Sequence, residues 1–238
     1  MAVKLFETVR RIFPDPKLAL EEGIVDVRED LSIPVLLEAY SFGIFPWPHE
    51  GLPMLWFCPP QRGILAFKDF HLPRSLKKQA RRVKWQFTMN QSFDEVIDAC
   101  AVQSRPGQPG TWINPRLARA YKEFHRAGYA HSVECWDGDK LIGGLYGVYV
   151  GGVFSGESMF YHIDGASKLC LLFLIEFLKT QGLSWMDCQM VTPHMEKLGA
   201  KYISRIEYLK RLEVRKKKAK PLDFKTVTYP KTLDTSNL

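Results

Sequence analysis

The fold is decided by the stretch from Gly143 to Gln189, which contains Gly143-Gly144-Leu145-Tyr146-Gly147, Gly156-Glu157-Ser158-Met159-Phe160, Ala166-Ser167-Lys168 and Asp187-Cys188-Gln189. This pattern predicts a strand, a helix and a second strand that carry one carboxylate, an Asp/Gln pair and several apolar side chains. The stretch has no nucleotide, metal or hydrolase motif. Such a site suits a substrate that arrives already activated.

Hydrophobic runs separated by turn residues extend this unit in both directions. Strands are predicted at residues 131–136, 141–150, 153–160 and 183–189, and Asp-Gly and Gly-Gly pairs mark the hairpin turns between the first three. Residues 166–181 are apolar nearly all round, which predicts a buried helix. A short helix at 192–198 and a strand or helix start at 202–209 follow. This order of elements predicts an α+β layered fold.

The proline-rich N-terminal part predicts a small domain over residues 1–60. Residues 32–40 read as a helix with Ser32 as its N-cap, Pro34 in its first turn and Gly43 just after its end. Residues 44–48 should be extended, because a residue that precedes a proline is disfavoured in the helical region.

Two further helices are predicted before the strands. Residues 92–103 are amphipathic, and Ser92 with Glu95 matches the sequence pattern of a capping box. A Pro/Gly loop is expected at 104–110. It is followed by a helix at 115–127 that ends at Gly128.

Composition indicates a globular protein. The 238 residues are 46% hydrophobic and 13% aromatic, enough for a sizeable core. No apolar run approaches the roughly 20 residues that a membrane span needs, and the first residues lack an apolar signal region. We therefore expect no membrane association and a cytoplasmic location. The cysteines are scattered without a CxxC pair, so we expect buried reduced thiols and no metal site.

The net charge of +7 is concentrated in two basic clusters. The inner basic cluster consists of Arg74, Lys77, Lys78, Arg81, Arg82 and Lys84, and the second cluster runs from Lys210 to Lys220. Such clusters attract phosphate backbones, although a solvated helix face and a frayed tail are the alternatives. In the inner basic cluster, like charges four residues apart repel one another in a helix. An anionic partner would offset that repulsion.

Three polar side chains in the decisive stretch are candidates for chemistry. Asp187 and Gln189 are two residues apart in a predicted strand, so both should face one side and could hold and polarise an amine. An ordinary polar strand edge is the alternative. Glu157 lies in an apolar strand, where burial raises the pKa of a carboxyl group that has no compensating partner. A buried structural ion pair is the alternative for Glu157.

Further motifs narrow the chemistry. Trp47 and Trp112 follow Pro/Gly-rich loops, where a ring can stack on a base, and core packing is the alternative. A Ser/His/Asp triad is disfavoured because the sequence has no G-x-S-x-G elbow. Residues 162–167 occupy the position of the pyrophosphate loop in an acetyltransferase of the GNAT fold. The first and last positions of that loop do not match, which weakens a coenzyme A interpretation.

In this order the motifs resemble the leucyl/phenylalanyl-tRNA–protein transferase family. The resemblance runs from Phe13 to about Leu209 and also includes Gly43-Ile44-Phe45-Pro46-Trp47, Thr111-Trp112-Ile113, Ala130-His131-Ser132-Val133-Glu134 and Leu198-Gly199-Ala200. It implies a small N-terminal domain (1–60) and a GNAT-like catalytic domain with a mixed, mostly antiparallel sheet flanked by helices (61–212). Residues 213–238 then form a basic C-terminal tail.

The resemblance also implies an activity. The family transfers Leu or Phe from aminoacyl-tRNA to proteins whose N-terminal residue is Arg or Lys, which marks them for degradation by the N-end rule. We expect no cofactor, because the tRNA ester is already activated. By match to the family, Trp47 and Trp112 hold the terminal aminoacyl-adenosine. Glu157 then meets the basic acceptor, while Asp187 and Gln189 position its amine.

Binding surfaces for the donor follow from the same resemblance. The side-chain pocket is expected to be lined by Leu145, Phe154, Met159 and Met186. Flexible methionine suits a pocket that accepts both Leu and Phe, and an apolar pocket rejects Met only weakly. The inner basic cluster is the candidate for binding the tRNA backbone.

The chain departs from the family pattern at Arg28-Glu29-Asp30-Leu31-Ser32, Trp56-Phe57-Cys58-Pro59 and Gly165-Ala166-Ser167-Lys168. These departures leave the catalytic strand unchanged, but they keep open an altered donor or acceptor preference. An acyl-CoA N-acyltransferase and a catalytically silent tRNA-binding protein also stay open as interpretations of the sequence.

Overall fold

The computed structural model describes residues 11–103 and 111–224. Its N-terminal part contains a small antiparallel sheet in the order β1-β3-β2, formed by β1 (Ile24–Val27), β2 (Phe45–Trp47) and β3 (Leu55–Phe57). Helix α1 (Ile33–Ser41) lies between β1 and β2 in the chain, as predicted. Gly43 follows it with a φ of 74°, and a Cβ there would lie 2.6 Å from the Tyr208 ring.

The main sheet has seven strands in the order β10-β4-β9-β8-β7-β6-β5. Its strands are β4 (Gln61–Ala66), β5 (Gln86–Met89), β6 (Ala130–Asp137), β7 (Lys140–Val150), β8 (Val153–Tyr161), β9 (Trp185–Gln189) and β10 (Lys201–Ser204). The pair β8/β9 is parallel and the other neighbours are antiparallel. The parallel pair requires a crossover, which helix α5 (Ala166–Thr180) supplies.

The main sheet separates two hydrophobic cores. Successive side chains of a strand point to opposite faces, so Leu145 belongs to one core and Tyr146 to the other. The first core contains residues of α1, α3 (Phe93–Val102), α4 (Pro115–Arg126) and α7 (Arg205–Lys216). The second contains residues of α2 (Arg74–Ala80) and α5, and the short α6 (Pro193–Lys197) follows β9. The site described below lies on the side of the first core.

Most predicted elements are confirmed, including an α+β fold with a mixed sheet flanked by helices. The predicted 202–209 segment divides into β10 and the start of α7. Strands β1, β3, β4 and β5 were not predicted. None of the five cysteines, all of which the structure describes, forms a disulfide; four are buried and Cys188 is half-buried. The predicted loop at 104–110 lies outside the described residues.

Two details of the helix ends differ from prediction. At Ser32 and Ser92 the residue occupies the N-cap position, but within the described chain its hydroxyl makes no capping hydrogen bond. The capping box is therefore wrong: the Ser92 hydroxyl donates to the Glu95 carboxylate at 3.5 Å, and the Ser92 backbone N–H donates to Glu134 at 3.4 Å. The expected boundary between residues 212 and 213 falls inside α7, and the division into domains stays a prediction.

Candidate active site

Irregularities in two neighbouring strands bring the polar residues together. In the β7/β8 ladder Tyr146 pairs with Ser158 and Gly147 with Gly156, so Glu157 is an extra residue of β8. In the β4/β9 ladder Ile64 pairs with Asp187 and Gly63 with Gln189, so Cys188 is an extra residue of β9. Bulges of this kind re-aim side chains and are common beside active sites.

Glu157 accepts hydrogen bonds from three uncharged groups. Tyr40 Oη and Gln189 Nε2 lie 2.8 and 2.6 Å from Glu157 Oε1, and Tyr121 Oη lies 3.2 Å from Oε2. The two tyrosine hydroxyl oxygens are 2.5 Å apart. Burial raises the pKa of both tyrosines well above the ordinary value, so their hydroxyl groups stay protonated. The carboxylate is thus held by neutral donors from α1, α4 and β9.

Burial raises the pKa of Glu157 to about 7, although the hydrogen bonds from Tyr40, Gln189 and Tyr121 act in the opposite direction. Proton counting agrees with this shift. Oxygen–oxygen contacts of 2.5, 2.8 and 3.2 Å join the two hydroxyl groups and the carboxyl group, but the hydroxyl groups supply only two protons. A proton on Glu157 would complete the set. The buried ion pair considered for Glu157 is absent among the described residues.

Asp187 is fully buried and its carboxylate oxygens are fully engaged. Arg62 donates from Nε to Oδ1 at 2.8 Å and from Nη2 to Oδ2 at 2.6 Å. Oδ2 also accepts from Ser155 Oγ at 3.0 Å and from Tyr208 Oη at 3.1 Å, while Oδ1 accepts the backbone N–H of Gln189 at 2.9 Å. Both carboxylate oxygens of Asp187 are thus taken up by protein donors, one of which is the backbone N–H of Gln189.

Gln189 has a left-handed backbone with a φ of 57°. Such a conformation costs of order 1–3 kcal/mol in a residue other than glycine and persists where surrounding contacts fix it. The hydrogen bond from the Gln189 backbone N–H to Asp187 and the hydrogen bond from its side-chain amide to Glu157 are two such contacts. The strain lies at the residue that the sequence points to for amine positioning.

Both tryptophans are half-buried against the first core. Trp47 packs edge-on against Phe57 at a centroid distance of 5.5 Å and lies 5.2 Å from the His49 ring. Trp112 follows the gap in the described chain. Among the residues that the structure describes, the hydrogen bonds of Glu157 come from Tyr40, Tyr121 and Gln189 and not from either indole ring. The role of the two tryptophans stays a prediction.

The residues expected in the side-chain pocket belong to the second core. Leu145, Phe154 and Met186 are buried, while Met159 is half-buried and pairs with Leu145 across β7 and β8. Gly156 lies beside this group, because a Cβ there would be 2.9 Å from the Met186 methyl group. Surface cavities of about 680 and 440 Å³ lie elsewhere, beside Tyr202 and beside Trp185. The pocket stays a prediction.

The inner basic cluster surrounds α2 and the turn after it. Lys77 is half-buried and the other five cations are exposed. Helix α2 also covers the start of α5: Gln79 Nε2 donates to the Asp164 carbonyl at 2.8 Å. A Cβ at Gly165, which has a φ of 90°, would lie 2.5 Å from Gln79 Oε1. The position expected for a pyrophosphate loop is thus occupied by side chains of α2.

Sequence reasoning missed Arg62, Tyr40, Tyr121 and Tyr208. One signal was present for Arg62, the only charged residue in the run Gln61-Arg62-Gly63-Ile64-Leu65-Ala66. A buried cation needs an anionic partner, so this run could have indicated a carboxylate nearby, but that inference was not drawn. The tyrosines had no such signal.

Comparison with known proteins defines the class of enzyme. Residues 64–213 match the model for "Leucyl/phenylalanyl-tRNA protein transferase", and residues 29–60 match the model for the N-terminal domain of that transferase. The class is therefore an aminoacyltransferase that moves an aminoacyl group from tRNA to protein.

Individual relatives carry the same description. A leucyl/phenylalanyl-tRNA–protein transferase of Anaeromyxobacter dehalogenans is 46% identical over 84% of this chain and 86% of its own length. That of Desulfatibacillum aliphaticivorans is 43% identical over 94% of both chains. The chain belongs to the leucyl/phenylalanyl-tRNA–protein transferase family, and the resemblance stated from its motifs is confirmed.

Similarity to solved structures is weaker. The structure of L-PGS from Bacillus licheniformis aligns with a TM-score of 0.38 and 14% identity over 68% of this chain and 50% of that chain. A similarity at this level is too low to assign a fold. In the part of the chain that the structure describes, no helix is long and apolar enough to cross a membrane.

Proposed function

We propose that the enzyme transfers Leu or Phe, and Met less readily, from aminoacyl-tRNA to the α-amine of proteins that begin with Arg or Lys. The transferred residue then serves as an N-end rule degradation signal in the cytoplasm. The observation that carries the proposal is the hydrogen bond between Gln189 and Glu157, which sets an amide beside a carboxylate of raised pKa.

The reaction needs alignment more than activation. The donor ester is already activated, so the enzyme must bring the acceptor amine to the ester carbonyl and support the developing oxyanion. Gln189 Nε2 is engaged with Glu157, which leaves the amide oxygen as the atom to accept a hydrogen bond from the amine. An amide is not appreciably basic, so Gln189 orients the amine and does not act as a conventional base.

Glu157 provides the selectivity for a basic acceptor. Its carboxylate accepts hydrogen bonds from uncharged donors only. The negative charge of the ionised carboxylate is therefore available to attract a cation that approaches it. The terminal ammonium and the side chain of an N-terminal Arg or Lys both supply such a charge. An acceptor with an acidic first residue would instead be repelled.

The aminoacyl-tRNA donor is proposed to bind to three groups of residues: the two tryptophans, the apolar pocket and the inner basic cluster. Trp47 and Trp112 hold the aminoacyl-adenosine, with stacking on a base worth about 1–3 kcal/mol per ring. The four apolar residues named for the pocket receive the Leu or Phe side chain, and the inner basic cluster binds the tRNA backbone. The chain is proposed to consist of an N-terminal domain (1–60), a GNAT-like domain (61–212) and a basic tail (213–238), of which the first residues continue α7.

One experiment separates this function from a silent tRNA-binding role and from an altered acceptor preference. The protein is incubated with labelled Leu-tRNA and a peptide that begins with Arg, beside matched peptides that begin with Glu or with acetylated Arg. We expect label in the first peptide only. Label in none of them, with tRNA binding intact, would support a silent tRNA-binding protein, and label in the Glu peptide would show altered acceptor preference.

An acyl-CoA N-acyltransferase has a separate test. The covering of the α5 start by Gln79 and Leu76 disfavours this function, because a pyrophosphate would need that helix end. We expect no saturable binding of coenzyme A in a calorimetric titration. Saturable binding would favour an acyl-CoA N-acyltransferase.

A further inference from the structure

Arg62 lies in β4 beside the candidate active site, and only 1% of its side chain is exposed. Its guanidinium group forms two parallel hydrogen bonds with Asp187, which is the strongest geometry for an ion pair of this type. Burial disfavours the charged guanidinium, but the Asp187 carboxylate outweighs that effect and raises the pKa of Arg62. The guanidinium group of Arg62 therefore stays charged.

Arg62 also contacts two other parts of the chain. Its Nη1 donates to the Gly43 carbonyl at 2.9 Å, just after α1, and its guanidinium carbon lies 4.7 Å from the centre of the Phe45 ring in β2. On the other side it lies 4.5 Å from the centre of the Tyr208 ring of α7. One side chain thus joins the N-terminal segment, β9 and α7.

These contacts lead directly to Gln189. The same Oδ1 atom of Asp187 accepts from Arg62 Nε and from the Gln189 backbone N–H. If the Asp187 carboxylate rotated, its hydrogen bond with the backbone N–H of Gln189, which helps to fix the left-handed backbone there, would be lost. The hydrogen bond from Arg62 to the Gly43 carbonyl acts on the position of Glu157. Gly43 closely follows helix α1, and Tyr40 of that helix donates a hydrogen bond to Glu157.

We propose that Arg62 is a positioning residue for aminoacyl transfer, which aligns Gln189 on β9 with the Tyr40-bound Glu157 through its bonds to Asp187 and Gly43. The inference rests on the role proposed above for Gln189. Because its side chain is enclosed, Arg62 is expected to act without touching the substrates. It acts on the rate of transfer, because a misplacement of about 1 Å at a reacting group can cost on the order of 100-fold in rate.

The geometry requires arginine at this position. Lysine would keep the positive charge but offers a single point of charge in place of a planar fork. Its ammonium can therefore neutralise Asp187, but its single nitrogen cannot occupy the three positions from which Nε, Nη2 and Nη1 of Arg62 bond to Asp187 and to the Gly43 carbonyl. Arg62→Lys is the informative variant, since it retains the buried ion pair and changes the orientation of the carboxylate.

The test compares single-turnover transfer rates and aminoacyl-tRNA affinities of wild type, Arg62→Lys, Gln189→Ala and the double variant. Arg205→Lys is the matched control, because the Arg205 guanidinium donates to the carbonyls of Pro59, Ala19 and Leu20 and not to Asp187. We expect Arg62→Lys to bind aminoacyl-tRNA normally and to transfer about 10–100-fold more slowly. The control should transfer at the wild-type rate.

The double variant separates positioning from a merely structural role. If Arg62 acts through Gln189, Arg62→Lys should cause no further loss in the Gln189→Ala background. Multiplied losses, or a wild-type rate in Arg62→Lys, would overturn the inference. A wild-type rate in Gln189→Ala would instead overturn the proposed role of Gln189 itself.

A second variant covers the case in which Arg62→Lys does not fold. Replacing both partners by apolar residues, as Arg62→Met with Asp187→Leu, often preserves folding where loss of one partner does not. We expect this protein to fold, as judged by a cooperative thermal transition, and to transfer as slowly as Gln189→Ala. A folded protein with the wild-type rate would contradict the inference.

Discussion

The raised pKa of Glu157 predicts a pH dependence that Glu157→Gln should remove. With a pKa of about 7, the carboxyl group is ionised in about a tenth of molecules at pH 6, half at pH 7 and nine-tenths at pH 8. Only the ionised form attracts a cationic acceptor. Its contribution to kcat/KM for the acceptor should therefore rise roughly tenfold across this range, whereas an ordinary carboxyl group would be ionised throughout.

The assay measures initial rates at low acceptor concentration and saturating aminoacyl-tRNA between pH 6 and 8. The acceptor amine also titrates, at about 7.7–8.0, and would raise the rate with pH in any variant. The ratio of wild type to Glu157→Gln cancels that effect. We expect the ratio to increase toward pH 8 with a midpoint near 7. A ratio that stays constant would refute the reasoning on Glu157.

Three further predictions test the surroundings of the site. Tyr40→Phe removes a hydrogen bond that lowers the pKa of Glu157, so the midpoint of the same ratio should move to higher pH; an unmoved midpoint would contradict this. Replacing Lys77, Lys78, Arg81 and Arg82 by alanine should weaken tRNA binding and reduce the slope of log K against log salt concentration by about 4. An unchanged slope would show that these side chains do not contact the tRNA phosphates. Leu174→Ala, in the fully buried part of α5, should cost about 2–5 kcal/mol of unfolding free energy in denaturant titrations, and a loss below about 1 kcal/mol would show that α5 is less tightly packed.

The sequence predicted the elements whose patterns are long and local. Helix α5 was evident because its apolar residues extend over four turns, and the hairpins were evident from Asp137-Gly138 and Gly151-Gly152. Strands β1 and β3 have four and three residues, too few for an alternating pattern to stand out. Short strands depend on tertiary pairing, which the local sequence does not specify.

The candidate site was predicted in part for the same reason. Asp187 and Gln189 are two residues apart in sequence, and the order of the motifs pointed to Glu157 beside them. Arg62 is 125 residues from Asp187, and Tyr40 is 117 residues from Glu157, so those pairings depend on how the elements pack. The bulges that re-aim Glu157 and Gln189 are likewise properties of strand pairing and not of either strand alone.

In the proposed reaction Gln189, held beside Glu157, positions the acceptor amine for attack on the tRNA ester. The most direct test of this role is the single-turnover transfer rate of Gln189→Ala, measured beside the affinity for aminoacyl-tRNA. We predict a rate that falls about 100-fold or more while the affinity is unchanged. An unchanged rate, or an affinity that falls as much as the rate, would contradict the claim.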